Sequence, residues 1–159
     1  GIMYRGGAEQ KIRKYLVENN YVDCIIQLPA NLFFGTSITT CIMVMKKGKK
    51  DNKVFFIDAT NECIKVTNNN KLTEKNIQRI VETFSLRVDI NHFSKLVSYD
   101  EIAKNDFNLS VSSYVIAEDK REKIDIEKLN IEIKKIVKKE QLLRDQIDKI
   151  IAEIEVVYE

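Results

Sequence analysis

The stretch from Tyr21 to Ile57 constrains this chain most: three apolar runs, Val22–Leu28, Cys41–Met45 and Val54–Ile57, surround one aromatic loop. The runs are short, rich in β-branched and aromatic residues and bounded by turn formers. No clean alternation marks a wet side, so they read as strands covered on both faces. The loop runs from Pro29 to Thr40 and carries Phe33 and Phe34 immediately before Gly35. Turn chemistry explains the glycine but not two adjacent rings. Either the rings fill the core beneath the loop or they face a flat ligand.

Between the second and third runs, residues 46–53 are polar and hold five lysines, Lys46, Lys47, Lys49, Lys50 and Lys53. The connection is short enough to make its flanking strands an antiparallel hairpin. Lys46, Lys47, Lys49 and Lys50 suit contacts with DNA phosphates; a solvated loop guarding a sheet edge is the competing use.

Composition narrows the class. A chain of 159 residues accommodates one domain with an appendage, and 44% hydrophobic with 31% charged residues fits a soluble globule. The net charge of +2 creates no overall field for nucleic acid, so any such role is local. Cys24, Cys41 and Cys63 are odd in number and scattered, as expected of reduced core thiols in the cytoplasm. With His92 as the only histidine and no Cys-x-x-Cys pair, no metal site is expected. No segment reads as a membrane span or a secretory signal. The opening Gly1-Ile2-Met3 falls in mid-element, as in an excised portion of a longer protein.

Upstream of the central runs, Gly1–Tyr4 fits the end of a strand. Arg5-Gly6-Gly7 then turns into a helix over Ala8–Asn19 with Ile12, Tyr15 and Leu16 at helical spacing. Gly6-Gly7 suits a phosphate through free N–H groups, although a plain turn is the commoner use. Downstream, Asn61–Lys71 is polar and irregular, and Thr73 caps a helix bearing Ile77, Ile80, Val81 and Phe84 on one face. A loop with His92 and Phe93 leads to Ser98-Tyr99-Asp100-Glu101, a capping box opening a short helix that Asn105-Asp106-Phe107-Asn108 ends. Leu109–Ile116 is expected to be extended. His92 lacks a sequence-local acid to orient it and reads as a surface or satisfied histidine.

From Ile124 to Val157 the pattern changes. Ile126, Leu129, Ile133, Ile136, Glu140, Leu143, Ile147, Ile150, Ile154 and Val157 follow alternating steps of three and four, a heptad seam interrupted at Glu140. Val137 and Ile151 widen it to one side. The helix would be on the order of 50 Å long at about 1.5 Å per residue, more than a small globule covers. The expected subunit interface is Ile126, Leu129, Ile133, Ile136, Leu143, Ile147, Ile150 and Ile154. A helix folded back on its own domain is the alternative.

Several segments together resemble the C-terminal half of the modification (M) subunit of type I restriction-modification systems, N6-adenine DNA methyltransferases. They are Tyr4-Arg5-Gly6-Gly7-Ala8-Glu9-Gln10-Lys11-Ile12-Arg13, Leu28-Pro29-Ala30-Asn31-Leu32-Phe33, Gly35-Thr36-Ser37-Ile38, Val54-Phe55-Phe56-Ile57-Asp58-Ala59 and Asn105-Asp106-Phe107-Asn108-Leu109. The likeness covers residues 1–117. It departs at Ser37-Ile38-Thr39 and at Val111-Ser112-Ser113-Tyr114, where that family often has glycine or proline, residues that set different backbone angles.

The resemblance implies an α/β fold: the last strands and flanking helices of a class I S-adenosylmethionine-dependent methyltransferase sheet in residues 1–117, then a helical arm for subunit assembly in 118–159. It implies methyl transfer from S-adenosylmethionine to adenine N6 in DNA, within a complex containing a specificity subunit and a restriction subunit. The family's Asn-Pro-Pro-aromatic motif and glycine-rich cofactor turn are absent from the sequence, whose one proline is Pro29. This portion alone is therefore expected to be inactive, to hold no catalytic residue and to bind no cofactor, and its arm is expected to self-associate in isolation. The resemblance also implies that Phe33 or Phe34 stacks on an extruded base. Phe34 is the choice, because Gly35 beside it permits close approach; both rings in the core is the alternative. The competing function is a non-enzymatic α/β interaction module with a coiled-coil arm.

Overall fold

A computed structural model describes residues 1–118 and 126–157, with side chains of the last helix described through Ala152. Two compact units are distinguished, Gly1–Glu118 and Asp119–Glu159. In the first, helix α1 (Ala8–Glu18) precedes strands β1 (Val22–Gln27), β2 (Cys41–Met45) and β3 (Lys53–Asp58). A small hairpin of β4 (Ile64–Val66) and β5 (Asn69–Lys71) follows, then α2 (Glu74–Leu86), β6 (Ser94–Ser98) and α3 (Tyr99–Lys104). The second unit contains α4 (Ile126–Val157).

The main sheet has the order β2-β1-β3-β6. β1 and β3 are parallel, and the two outer strands run antiparallel to them. The hairpin expected between β2 and β3 does not form, because β1 lies between them. Two strand spacings are about 9.6 Å, easily crossed by the chain from 46 to 52 at about 3.3 Å per residue. The crossing is pinned at the amino end of β1. Lys46 N–H donates to Tyr21 O at 2.9 Å, and Lys49 Nζ donates to Val22 O at 2.7 Å and Lys53 O at 2.5 Å.

Both faces of the central strands are buried, as expected of apolar runs without alternation. A bulge between Val22 and Cys24 breaks the two-residue period of β1. Val22 and Ile25 therefore share one face with Val54, Phe56 and Val97, packed against Val17 of α1 and Ile102 of α3. Cys24, Ile26, Phe55 and Ile57 share the other, packed against Ile80 of α2 and Phe93. β2 departs from the expectation of full cover: Cys41, Ile42 and Met45 are exposed on an edge strand. Of the three cysteines, only Cys24 is a core thiol.

Other local expectations need correction. Gly1–Tyr4 is a turn, closed by Tyr4 N–H to Gly1 O at 3.2 Å, rather than the end of a strand. α1 buries Arg13 and Val17 while Ile12 and Tyr15 are exposed, so its buried face is rotated from the apolar stripe. α2 likewise buries Ile80 and Thr83 and leaves Ile77 and Val81 outside. Asn61–Lys71 is not irregular but carries the β4–β5 hairpin. Val111–Ser113 is a 3₁₀ turn inside the stretch expected to be extended. Thr73 caps α2 with a reciprocal box to Asn76. Ser98 accepts from Glu101 N–H, but the Glu101 carboxylate pairs with Lys95 at 2.7 Å, so the second box is half formed.

Candidate functional site

Ligands of open α/β sheets gather at the carboxyl ends of parallel strands, here beyond Gln27 of β1 and Asp58 of β3. The aromatic loop leaves β1 at that end. Its base is closed by Leu28 N–H donating to Thr40 O at 2.8 Å, and Pro29 is buried. Leu32 packs partly buried against the cluster of Phe55, Ile57 and Phe93. Leu32, not a phenylalanine, thus supplies the loop's core contact. Phe33 is 51% exposed and Phe34 97% exposed, with Gly35 beyond them at φ 77°. A Cβ at Gly35 would meet nothing within 4 Å, so the positive φ rather than crowding explains the glycine.

The lysine loop lies elsewhere. Residues 46–52 join the carboxyl end of β2 to the amino end of β3, the opposite end of the sheet from Phe34. Lys46, Lys47 and Lys50 are exposed there, whereas the Lys49 ammonium is engaged by backbone carbonyls. Burial pulls the Lys49 pKa down, opposed by the charges of Asp23 and Asp51. The two sets of DNA-contact candidates are therefore not brought together.

Two distant segments of the family likeness do meet. Arg13 is buried; its Nη1 donates to Ile2 O at 2.6 Å and its Nε to Phe107 O at 2.8 Å. Leu109 N–H adds a bond to Met3 O at 2.8 Å. Asp106 and Phe107 both adopt φ near the left-handed region, at 52° and 53°. The Gly6-Gly7 turn opens α1 with Gly7 at φ 76°, a conformation suited to glycine. His92 sits at the surface with its Nδ1–H donating to Ile116 O at 2.8 Å.

Along α4, Ile126, Leu129, Ile133, Ile136, Leu143, Ile147 and Ile150 are all exposed. Glu140 pairs with Arg144 at 2.8 Å one turn on. Ile124 and the side chain of Ile154 lie outside the described residues. Among the described residues, no helix is long and apolar enough to cross a membrane.

The family model described as N-6 DNA Methylase matches residues 1–123, and the chain belongs to that family. It is 46% identical to the type I restriction enzyme MpnII methylase subunit of Mycoplasma pneumoniae, a match covering 100% of this chain and 30% of that protein. The fold is similar to the crystal structure of the type I restriction-modification system methyltransferase subunit from Streptococcus thermophilus, at TM-score 0.73 and 42% identity. That match covers 74% of this chain and 25% of the other. A chain from a structure concerned with complex assembly and conformational transition of the type I R-M system shares the fold at TM-score 0.59 and 13% identity. It covers 94% of this chain and 34% of its own length. This chain thus spans about 30% of the curated relative named above.

Proposed function

We propose that this chain is the C-terminal portion of the modification subunit of a type I restriction-modification enzyme, which methylates adenine N6 in DNA. Family membership and the Streptococcus thermophilus likeness support the subunit; the exposure of Phe34 at the carboxyl end of β1 carries the role of this portion. Residues 1–117 form the last strands of a class I S-adenosylmethionine-dependent sheet. The unpaired edge of β2, with Ile42 and Met45 exposed on it, favours further sheet beyond that edge, because an open apolar edge strand invites pairing. Residues 118–159 form the assembly arm, whose exposed aliphatic seam fits helices of the specificity subunit, with the restriction subunit joining the complex. A DNA substrate places the enzyme in the cytoplasm.

The residues present do not fit the methyl donor. Gly6-Gly7 is the one adjacent glycine pair, at the start of α1, and Pro29 is the one proline, buried at the loop base. No step of the reaction is assigned to this chain through S-adenosylmethionine. Its own contribution is to the target base. An adenine methylated within a duplex must leave the stack, and its face then needs an apolar replacement for its lost neighbours. Phe34 offers that face from a loop whose base is fixed to the core. Lys46, Lys47 and Lys50 suit backbone phosphates remote from that base, and Lys49 does not.

Stacking on an aromatic ring contributes roughly 1–3 kcal/mol per base. In an active methylase subunit carrying this sequence, Phe34→Ala therefore loses about tenfold or more in methylation rate or target-base affinity. Its melting temperature stays close to that of the parent, because the ring is exposed. A variant that melts several degrees lower yet methylates normally when folded overturns the assignment.

A further inference from the structure

The β4–β5 hairpin has no place in that reading so far. Its aliphatic residues Ile64 and Val66 are exposed, so it adds little to the core. Yet Asn70, on β5, grips the aromatic loop twice. Its backbone N–H donates to Asn31 O at 2.8 Å, and its side-chain Nδ2 donates to Ala30 O at 2.7 Å. Asn31 adopts φ 50°, a left-handed conformation that asparagine tolerates better than most residues and that turns the loop here. Leu72, just past the hairpin, packs on the same apolar cluster as Leu32 of the loop. Hairpin and loop therefore share a hydrogen-bonded seam, and the residue after the hairpin packs on the cluster that also holds the loop. Beyond Leu32 the loop carries a long turn bond from Thr36 N–H to Phe33 O at 3.4 Å, so the rings depend on how the preceding residues are held.

We infer that Asn70 is a positioning residue for Phe34: by holding the carbonyls of Ala30 and Asn31 it sets the angle at which the ring meets an extruded base. The inference rests on the proposed role of Phe34. A ring on an unrestrained tip loses conformational freedom whenever a base stacks on it, whereas a pre-set tip has lost that freedom on folding. Asparagine suits the task because its carboxamide supplies a donor close to the backbone. Aspartate has the same shape and would oppose a carbonyl with a carboxylate.

The sequence contains no tryptophan, so Phe34→Trp places a single indole at an almost fully exposed position. Time-resolved fluorescence anisotropy of that variant should show a fast component from rotation of the exposed side chain and a slow one from overall tumbling. Adding Asn70→Ala or Asn70→Asp should enlarge the fast component as the backbone of the loop loosens. Unchanged anisotropy in both overturns the inference. A double-mutant cycle in an active methylase subunit carrying this sequence reads the consequence. Asn70→Ala alone should lower kcat, but by no more than Phe34→Ala does, because a residue that acts through the ring cannot cost more than the ring's removal. In a Phe34→Ala background it should lower kcat no further. Equal losses in both backgrounds mean that Asn70 acts other than through the ring, and also overturn the inference. If Phe34→Ala alone leaves kcat unchanged, the base-stacking role falls, and the anisotropy by itself decides whether Asn70 orders the loop.

Discussion

Arg13 Nε lies 2.8 Å from the carbonyl oxygen of Phe107, a residue 94 positions later in the chain. The same guanidinium holds Ile2 O at 2.6 Å, so one buried cation ties the opening turn to the Asn105–Leu109 segment. Burial lowers the Arg13 pKa, opposed by Glu9, but a guanidinium stays charged throughout the usable pH range.

Arg13→Ala should therefore leave two carbonyls unsatisfied and lower unfolding stability by about 2–4 kcal/mol, measured by urea denaturation. Arg13→Lys should recover only part of this, because a single ammonium does not reproduce the planar fork. An alanine variant as stable as the parent would show that the carbonyls find water instead.

Lys49 predicts a pH dependence. Its folded pKa is lowered, chiefly by burial, so between that value and the ordinary lysine range the unfolded state binds more protons. Stability from this group rises as pH climbs through that window toward about 10.4. Lys49→Met should be less stable at neutral pH through loss of the bonds to Val22 and Lys53. The gap between parent and variant should widen at alkaline pH, and denaturant midpoints across a pH series read it.

Cys24 carries the opposite sign. Burial pushes its thiol up to about 12, against the pull of Arg87 and with a further push from Asp23. The unfolded thiol ionises near about 8.5, so the folded state keeps a proton that the unfolded state has lost, and stability falls as pH rises through that interval. Cys24→Ala should flatten this slope. Iodoacetamide at neutral pH should leave Cys24 unmodified until denaturant is added, while exposed Cys41 reacts in the folded protein.

The seam of α4 predicts association. Its aliphatic side chains are worth roughly 1.5–3 kcal/mol each when fully buried, and an exposed stripe of them, broken only at Glu140 among the described residues, favours a partner. Light scattering should give a larger species for the full chain than for one truncated after Ala117. Monomers in both cases at high concentration would remove the assembly role from the seam.

Elements whose signal is local were legible in the sequence: the strand runs of β1, β2 and β3, the Thr73 cap of α2 and the length of α4. The hairpin β4–β5 was not, because Asn68-Asn69-Asn70 carries no apolar alternation. Its strand character comes from pairing and from the loop it holds. The same holds for Asn70, where a polar residue in a polar run gives no sign that its partners lie some forty positions earlier. The edge strand β2 has the composition of a covered strand, and exposure is a property of its neighbours rather than of its residues.

What the sequence determined by itself was the family likeness and the aromatic pair beside Gly35. Only the tertiary structure decided that β1 comes between β2 and β3, and with it that the lysine loop and Phe34 occupy opposite ends of the sheet. Strand order depends on which edges pair after the chain has turned back on itself. The connection from Met45 to Lys53 is long enough either to turn tightly or to step over a strand, so its length and composition permit both. The choice is made by pairing that buries β1 on both faces and by a lysine whose ammonium holds backbone carbonyls at the amino ends of β1 and β3.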